Sequence, residues 1–549
     1  LIKSQLLFAF VLVFAACGKE AVNADYEVIP LPQEITTEDA PGFKLTKRTK
    51  IFYSPDSEAQ KKTAELLADY LYAATGFHLA ITNQEEAKNV IILKTGLIDA
   101  KPESYRLSVN KDRIAIEGAD EAGVFYGAQT LRKSIPANLE QGAPLLFPAV
   151  VINDYPRFAY RGMHLDVSRH FFPIEFVKKY IDLLALHNIN RFHWHLSDDQ
   201  GWRIEIKKYP ELTEIGAMRD ETVIGHKTGG YDGTPYGGFF TQEEAREVVE
   251  YARERHITVI PEIDLPGHML AALTAYPELG CTGGPYKVAT TWGVFDDVLC
   301  AGNEETYAFL EGVFEEIIDI FPSEYIHVGG DECPKKQWKK CPKCQTKIKH
   351  LGIKETDGHP AEFILQSYVI SRIERYLNGQ GRQIIGWDEI LEGGLAPNAT
   401  VMSWRGTQGG VAAAKQGHDA IMVPTSHMYF DYYPTLDREN EPLAFNGYVP
   451  LEKVYSFEPI PEELTEDERK HIIGTQANLW TEYVLSPEHA EYMVLPRMAA
   501  LCEVQWTMPD SKDYERFLAR LHQFALLYDR LGYAYGKHAL VESDAVISE

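Results

Sequence analysis

From Tyr155 onward the chain repeats one rhythm, a short apolar run followed by an amphipathic helical stretch, and few folds can absorb that repetition. Eight strand candidates stand at 158–167, 189–196, 257–263, 325–329, 382–387, 400–404, 419–424 and 472–480. Between the first two, Ile174, Val177, Ile181 and Leu184 recur at helical spacing. Before the third, Thr241-Gln-Glu-Glu244 has the form of a capping box, in which Thr bonds the N–H three residues on and Glu reaches back. Strands and helices alternating eight times predict an α/β fold, a (β/α)8 TIM barrel over residues 153–510. Residues 26–152 have another texture. Short β-rich runs at Val90–Leu93, Tyr105–Val109 and Arg113–Ile116 mix with helical stretches at Ala59–Ala74 and Ala122–Leu131, which predicts a small α+β domain. An amphipathic stretch from Tyr514 to Tyr533 makes 511–549 a C-terminal helix packing on the barrel.

The N-terminus reads as an export signal. Lys3 supplies positive charge, and Leu6 to Ala16 is apolar but too short for a membrane span of about 20 residues. Ala15-Ala16-Cys17-Gly18 is similar to a bacterial lipobox. The expectation is a lipoprotein signal peptide over 1–17, a polar tether to about residue 25, and membrane attachment only through lipid on Cys17. That makes the protein an exported lipoprotein of a Gram-negative envelope, in the periplasm or at the outer membrane. A net charge of −26 and a pI near 5.2 repel phosphate backbones and argue against nucleic acid as a partner. Eight Trp and 30 Tyr suit flat faces laid against sugar rings.

In a TIM barrel the reactive groups gather where strands end. Strand one runs into Asp166-Val-Ser-Arg169-His170, strand two into His193-Trp-His195-Leu-Ser-Asp198-Asp199. Strand three gives Pro261-Glu262-Ile-Asp264-Leu-Pro-Gly-His268, and strand four His327-Val-Gly-Gly-Asp331-Glu332. Strands five, six and eight end at Trp387-Asp388-Glu389, Trp404 and Trp480-Thr-Glu482, and strand seven leads to Tyr429-Phe-Asp431. Three Trp at one mouth suit an aromatic box of sugar size. Adjacent Asp331 and Glu332 cannot ionise independently, so one holds its proton and can serve as a general acid beside a persistent anion. His193 and His195 point to one face of their strand, and a metal-dependent barrel hydrolase is the competing reading. The other strand ends offer Trp and carboxylates and few further histidines, with His268 and His327 single.

Taken in order, these blocks resemble glycoside hydrolase family 20, the exo-acting β-N-acetylhexosaminidases, across residues 26–535. The resemblance implies that Glu332 protonates the glycosidic oxygen and then activates water. The attacking group is the substrate's own 2-acetamido carbonyl, which gives an oxazolinium intermediate and retention of configuration, and the family is a known exception to two-carboxylate catalysis. Asp331 would orient the acetamide N–H, Tyr429 would bond its oxygen, and Trp387, Trp404 and Trp480 would enclose its methyl. Arg169, Asp431 and Glu482 resemble residues that hold the ring hydroxyls. Asp198 and His268 resemble the pair that supports Glu332 from behind. No cofactor and no metal is implied; the partner is a glycan ending in N-acetylhexosamine. A lacto-N-biosidase-like enzyme with a roomier pocket, or a catalytically silent glycan-binding lipoprotein, are the alternatives. Some family members stack a Trp on the leaving-group side; residues 432–453 contain none, leaving Phe445 or Tyr448 as substitutes.

Six cysteines remain after Cys17. Cys281 and Cys300 bracket one loop and suit a disulfide. Cys341-Pro-Lys-Cys344 has the spacing of half a zinc site, but with only Cys333 nearby in sequence a loop-closing disulfide or free thiols is the favoured reading.

Overall fold

The computed structural model describes residues 21–540 other than 99, 227, 356 and 357. The expected signal peptide and Cys17 lie outside the described residues.

The N-terminal unit is a seven-stranded mixed sheet with two long helices, Glu58–Thr75 and Glu121–Lys133. Ser57 and Asp120 start these helices by accepting the N–H groups of Gln60 and Gly123. The strand Val150–Asp154 pairs on both sides inside this sheet, so the sheet runs two residues past the expected boundary at 152.

The barrel closes from eight parallel strands in chain order. They are β1 (Tyr160–Asp166), β2 (Arg191–His195), β3 (Thr258–Glu262), β4 (Tyr325–His327), β5 (Gln383–Trp387), β6 (Thr400–Ser403), β7 (Ala420–Met422) and β8 (Ile472–Ala477), with β8 pairing back onto β1. Each falls inside its sequence-derived run, because buried parallel strands are rich in apolar residues and stand out from their loops even where polar side chains such as His193 and His195 interrupt them. Helix α1 (Ile174–Leu186) buries the stripe that includes Val177, Ile181 and Leu184. Helix α2 (Gln242–Arg253) opens on the capping box, with both reciprocal bonds formed. Helix α3 (Pro342–His350) follows β4, and α4 (Tyr514–Leu531) ends the fold, with Tyr528 bonded to the buried His187 just past α1.

A buried Arg joins the two units. Arg161 of β1 pairs with Glu103 at 2.6 Å and donates to the Tyr126 hydroxyl, and Asn190 reaches the other Glu103 oxygen. Removing one partner of such a pair strands a buried charge and costs about 3–5 kcal/mol.

Candidate active site

Parallel register sets one ring of side chains at the C-terminal rim of the barrel, with Asp166 beside His195, His195 beside Glu262 and Glu262 beside His327. Glu262, fully buried, is the hub. Its carboxylate meets His195 Nδ1, His193 Nε2 at 2.9 Å, His327 Nδ1 at 2.9 Å and the Trp387 indole N–H at 2.9 Å. Burial opposes its charge, yet the surrounding imidazoles hold it well below the usual carboxylate range. His195 is pushed the other way, up to about 10, because Glu262 and Asp198 outweigh its own burial. His193 drops to about 4 through burial. The two histidines that suggested a metal-dependent hydrolase are thus engaged with one carboxylate beneath the site.

The network climbs from there toward the cavity. His195 Nε2 meets Asp198 at 3.0 Å, and Asp198 and Asp199 both meet His268 Nδ1, at 3.2 and 3.0 Å. His268 Nε2 then faces Glu332 at 3.6 Å and Asp331 at 3.8 Å. Despite burial, these carboxylates raise His268 well above the imidazole range, so it carries charge.

Above it opens a cavity of about 290 Å³. Its walls include Arg169, His268, Asp331, Glu332 and Trp387, and further round Trp404, Tyr429, Asp431, Trp480 and Glu482. The structure brings these ten residues, to which the resemblance assigned roles, into one cavity wall, while Asp198 meets His268 and Arg169 behind it. Trp387 and Trp480 meet at 46° with centroids 5.8 Å apart, and Trp404 stacks toward Tyr429. Arg169 is fixed by Asp198 at 2.8 Å, Asp166 at 3.1 Å and Gln200 at 3.0 Å, and its guanidinium lies over Trp480. Burial pushes the Tyr429 hydroxyl well above its ordinary value, so it stays a donor.

Backbone shape sets the reacting pair. A Cβ at Gly329 (φ +64°) would lie 1.6 Å from an Asp264 oxygen, so only glycine lets the chain pass. Glu332 (φ +44°) and His268 (φ +50°) both occupy the left-handed region, at a cost of about 1–2 kcal/mol each for residues with a Cβ. Of the described residues that line the cavity, Asp331 Oδ1, Asp431 Oδ1 and His268 Nε2 are buried without a hydrogen-bond partner, as are other atoms elsewhere in the fold. Unpaired polar atoms in a walled cavity mark where a ligand's polar groups belong.

The two acids of the pair are shifted in opposite directions, as adjacent carboxyls in unlike surroundings are. Burial pushes Asp331 up to about 6, whereas the charged His268 beside Glu332 holds that carboxyl below its ordinary value. The reason is local: His268 faces both acids, but Asp331 is the more deeply buried, whereas Glu332 is part-exposed and stands slightly nearer the cation.

Residues 158–509 match the catalytic domain of glycosyl hydrolase family 20, and residues 25–155 match domain 2 of that family. The chain belongs to glycosyl hydrolase family 20. It is 45% identical to a β-hexosaminidase of Porphyromonas gingivalis over 534 residues, 95% of this chain and 66% of that protein. A β-hexosaminidase of Vibrio furnissii is 40% identical over 72% of this chain and 64% of its own length. The chain therefore spans about two thirds of those two relatives. A Streptomyces plicatus β-hexosaminidase mutant solved in complex with its product GlcNAc has a TM-score of 0.80 and 31% identity, over 93% of this chain and 96% of that one. An exo-β-N-acetylglucosaminidase from Vibrio harveyi, in complex with N-acetylglucosamine, has a TM-score of 0.81 and 32% identity, over 94% and 79%.

Several contributors to this family 20 site were not assigned from the sequence. Trp292, Gly293 and Val294 arrive from the irregular loop after β3, and Tyr432 and Tyr483 complete the rim. Asp264 accepts the Gly330 N–H at 3.2 Å and is raised well above the carboxylate range by burial and by Asp331. Glu262 and Asp264 stood in the quoted strand-end block, but nothing in a linear motif separates a hub from a bystander. On the leaving-group side, Phe445 stacks on Tyr432 at 5.6 Å and lines the cavity, whereas Tyr448 is not part of its wall.

Proposed function

We infer that the protein is a retaining exo-β-N-acetylhexosaminidase, removing terminal N-acetylglucosamine or N-acetylgalactosamine from glycans. The observation that carries this reading is the buried, unpaired Asp331 oxygen inside an indole-walled cavity with Tyr429 as a fixed donor. An acetamido group answers each feature. Its N–H fits Asp331, its oxygen fits Tyr429, and its methyl fits Trp387, Trp404 and Trp480. Held this way, the acetamide carbonyl attacks the anomeric carbon, and an intramolecular nucleophile in attack geometry gains about 7–11 kcal/mol. Glu332 protonates the departing oxygen and later deprotonates water, which contributes roughly 10²–10⁴-fold. The acetamide N–H supplies the donor that Asp331 lacks, favours its anion, and lets the proton reside on Glu332. Arg169, Asp431 and Glu482 hold the ring hydroxyls through charge-assisted bonds, and Asp198 steadies His268 beneath Glu332.

A cavity of about 290 Å³ lies at the low end for small-molecule sites and favours one sugar over the disaccharide taken by a lacto-N-biosidase-like enzyme. The presence of a proton donor beside Asp331 argues against a silent glycan-binding protein, because binding alone needs none. An aryl N-acetylglucosaminide should be hydrolysed with retention, a thiazoline analogue of the acetamido sugar should inhibit, and a chelator should leave the chemistry intact. Equal turnover of the plain glucoside, which lacks the amide, overturns the reading.

Separately, we propose that the protein is an exported lipoprotein attached through Cys17 to the envelope of a Gram-negative cell. The Ala15-Ala16-Cys17-Gly18 sequence after a short apolar run supports it. Cys17→Ser should move the protein from the membrane fraction to the soluble one; unchanged fractionation refutes lipid attachment.

A further inference from the structure

Four sulfurs converge beside the active site, drawn from two segments far apart in sequence. Cys281 and Cys300 bracket the loop that carries Trp292 to the cavity. Cys341 and Cys344 lie at the start of α3, beyond Glu332. The Sγ atom of Cys300 is 3.6 Å from those of Cys341 and Cys344, that of Cys281 is 3.8 Å from Cys344, and all four lie within 4.8 Å of one another. The expected disulfide between Cys281 and Cys300 is not formed, and the missing half of the zinc pattern is this pair rather than Cys333.

Sulfurs at about 2.3 Å from a tetrahedral zinc stand about 3.8 Å apart, whereas a disulfide requires about 2.05 Å. We propose that Cys281, Cys300, Cys341 and Cys344 bind one structural zinc ion as a closed tetrathiolate site. Zinc displaces the four thiol protons, and no electron is transferred.

Independent features point the same way. Cys341-Pro-Lys-Cys344 has the two-residue spacing of a zinc-binding pair, and Pro342 opens the helix, which places both sulfurs at its positive end. Gly302 lies against that turn so closely that a Cβ would stand 2.1 Å from the Lys343 carbonyl carbon and 2.3 Å from the Cys344 nitrogen. Only bare backbone allows the approach that carries Cys300 into the group. Cys300 and Cys344 are fully buried and Cys341 nearly so, while Cys281 is partly exposed and offers a route for the ion. Zinc with four thiolates carries a net charge of −2, and residues 335–349 bear lysines and no acid in a chain of net charge −26. The Trp338 indole, just before Cys341, also donates to the Leu299 carbonyl at 2.9 Å.

The ion would tie the loop after β3 to the segment after β4, and so hold Trp292 in register with Asp331 and Glu332. Its role is to position these segments, separate from the chemistry, and the proposal stands whether or not the sugar reading does.

The test uses the full chain, purified without added metal or reductant. Elemental analysis should find one zinc per chain, and the Cys341→Ser/Cys344→Ser double variant should lose it. Because that variant can fail to fold, wild-type protein grown in cobalt supplies a second readout: tetrahedral cobalt–thiolate charge-transfer absorption. Intact mass after denaturation with chelator and alkylation should show every one of these thiols modified. A mass short of four hydrogens, meaning two disulfides, overturns the proposal, as does metal-free protein with four free thiols or a cobalt form without the thiolate bands. Zinc loss should also raise KM severalfold more than it lowers kcat, since it loosens the Trp292 wall and leaves Glu332 in place; an unchanged KM in metal-depleted protein removes the positioning role.

Discussion

Asp331→Asn tests the proton arrangement through its effect on pH dependence. In the wild-type protein the Asp331–Glu332 pair holds one proton between the depressed value of Glu332 and the value near 6 of Asp331. Either location of that proton is one titration state, so kcat/KM follows the singly protonated pair. Below Glu332's value a second proton neutralises the pair, and above about 6 the first is lost. Of the neighbouring groups, His268 is held well above the imidazole range and keeps its charge, and Glu389, pushed up to about 8, loses its proton only beyond this window. From the Asp331 value, kcat/KM at pH 7 should fall to roughly one tenth of its acid plateau. In Asp331→Asn the stored proton has no seat except Glu332, whose value lies below 4.5, so the alkaline limb moves to the acid side of that figure. The maximum falls as well, by about 10²–10³, because the charge that stabilises the developing oxazolinium is gone. Initial rates on an aryl N-acetylglucosaminide far below KM, at constant ionic strength and after checking that the enzyme survives each pH, give both profiles. A flat wild-type profile between about pH 5.5 and 7.5, or a variant whose limb stays near 6, refutes the argument.

The same substitution has a stability signature. Asp331 is raised from 3.8 to about 6 in the folded state, so its unfavourable ionisation penalises the fold increasingly as pH climbs through that interval and fully above it. Asp331→Asn should therefore raise Tm at about pH 8 but not at about pH 3.5, and an equal change at both contradicts the shift. Glu262→Gln leaves three imidazoles without their shared anion and should cost about 3–5 kcal/mol in urea unfolding; a loss under about 1 kcal/mol would show the hub to be dispensable. Phe445→Ala removes the ring stacked on Tyr432 at the cavity mouth. KM for an N-acetylglucosamine disaccharide should rise about 2–10-fold while inhibition by free N-acetylglucosamine stays constant, and a matched change in both would place Phe445 inside the first subsite.

The sequence made the barrel readable because buried parallel strands are rich in apolar residues, and the site readable because strand ends are where a barrel concentrates its loops. Arg169, the Asp331–Glu332 pair and the three Trp could be found by reading outward from β1, β4, β5, β6 and β8. Trp292 could not. It sits in a long aperiodic loop, and only tertiary packing brings it to the cavity. The cysteines failed for a related reason: motif spacing sees Cys341 and Cys344, but their partners lie some forty to sixty residues upstream and meet them through the contact at Gly302. The order of protonation within the acid pair was also beyond reach, since it depends on how deeply each acid is buried and how near it stands to His268.

Holding Glu332 in a left-handed backbone sets durability and activity against each other at a single codon. Replacement by glycine would relax that backbone and toughen the fold while erasing the proton donor. A library screened only for survival on heating should therefore enrich an inert protein at position 332, and any selection for a hardier enzyme must score turnover in the same round.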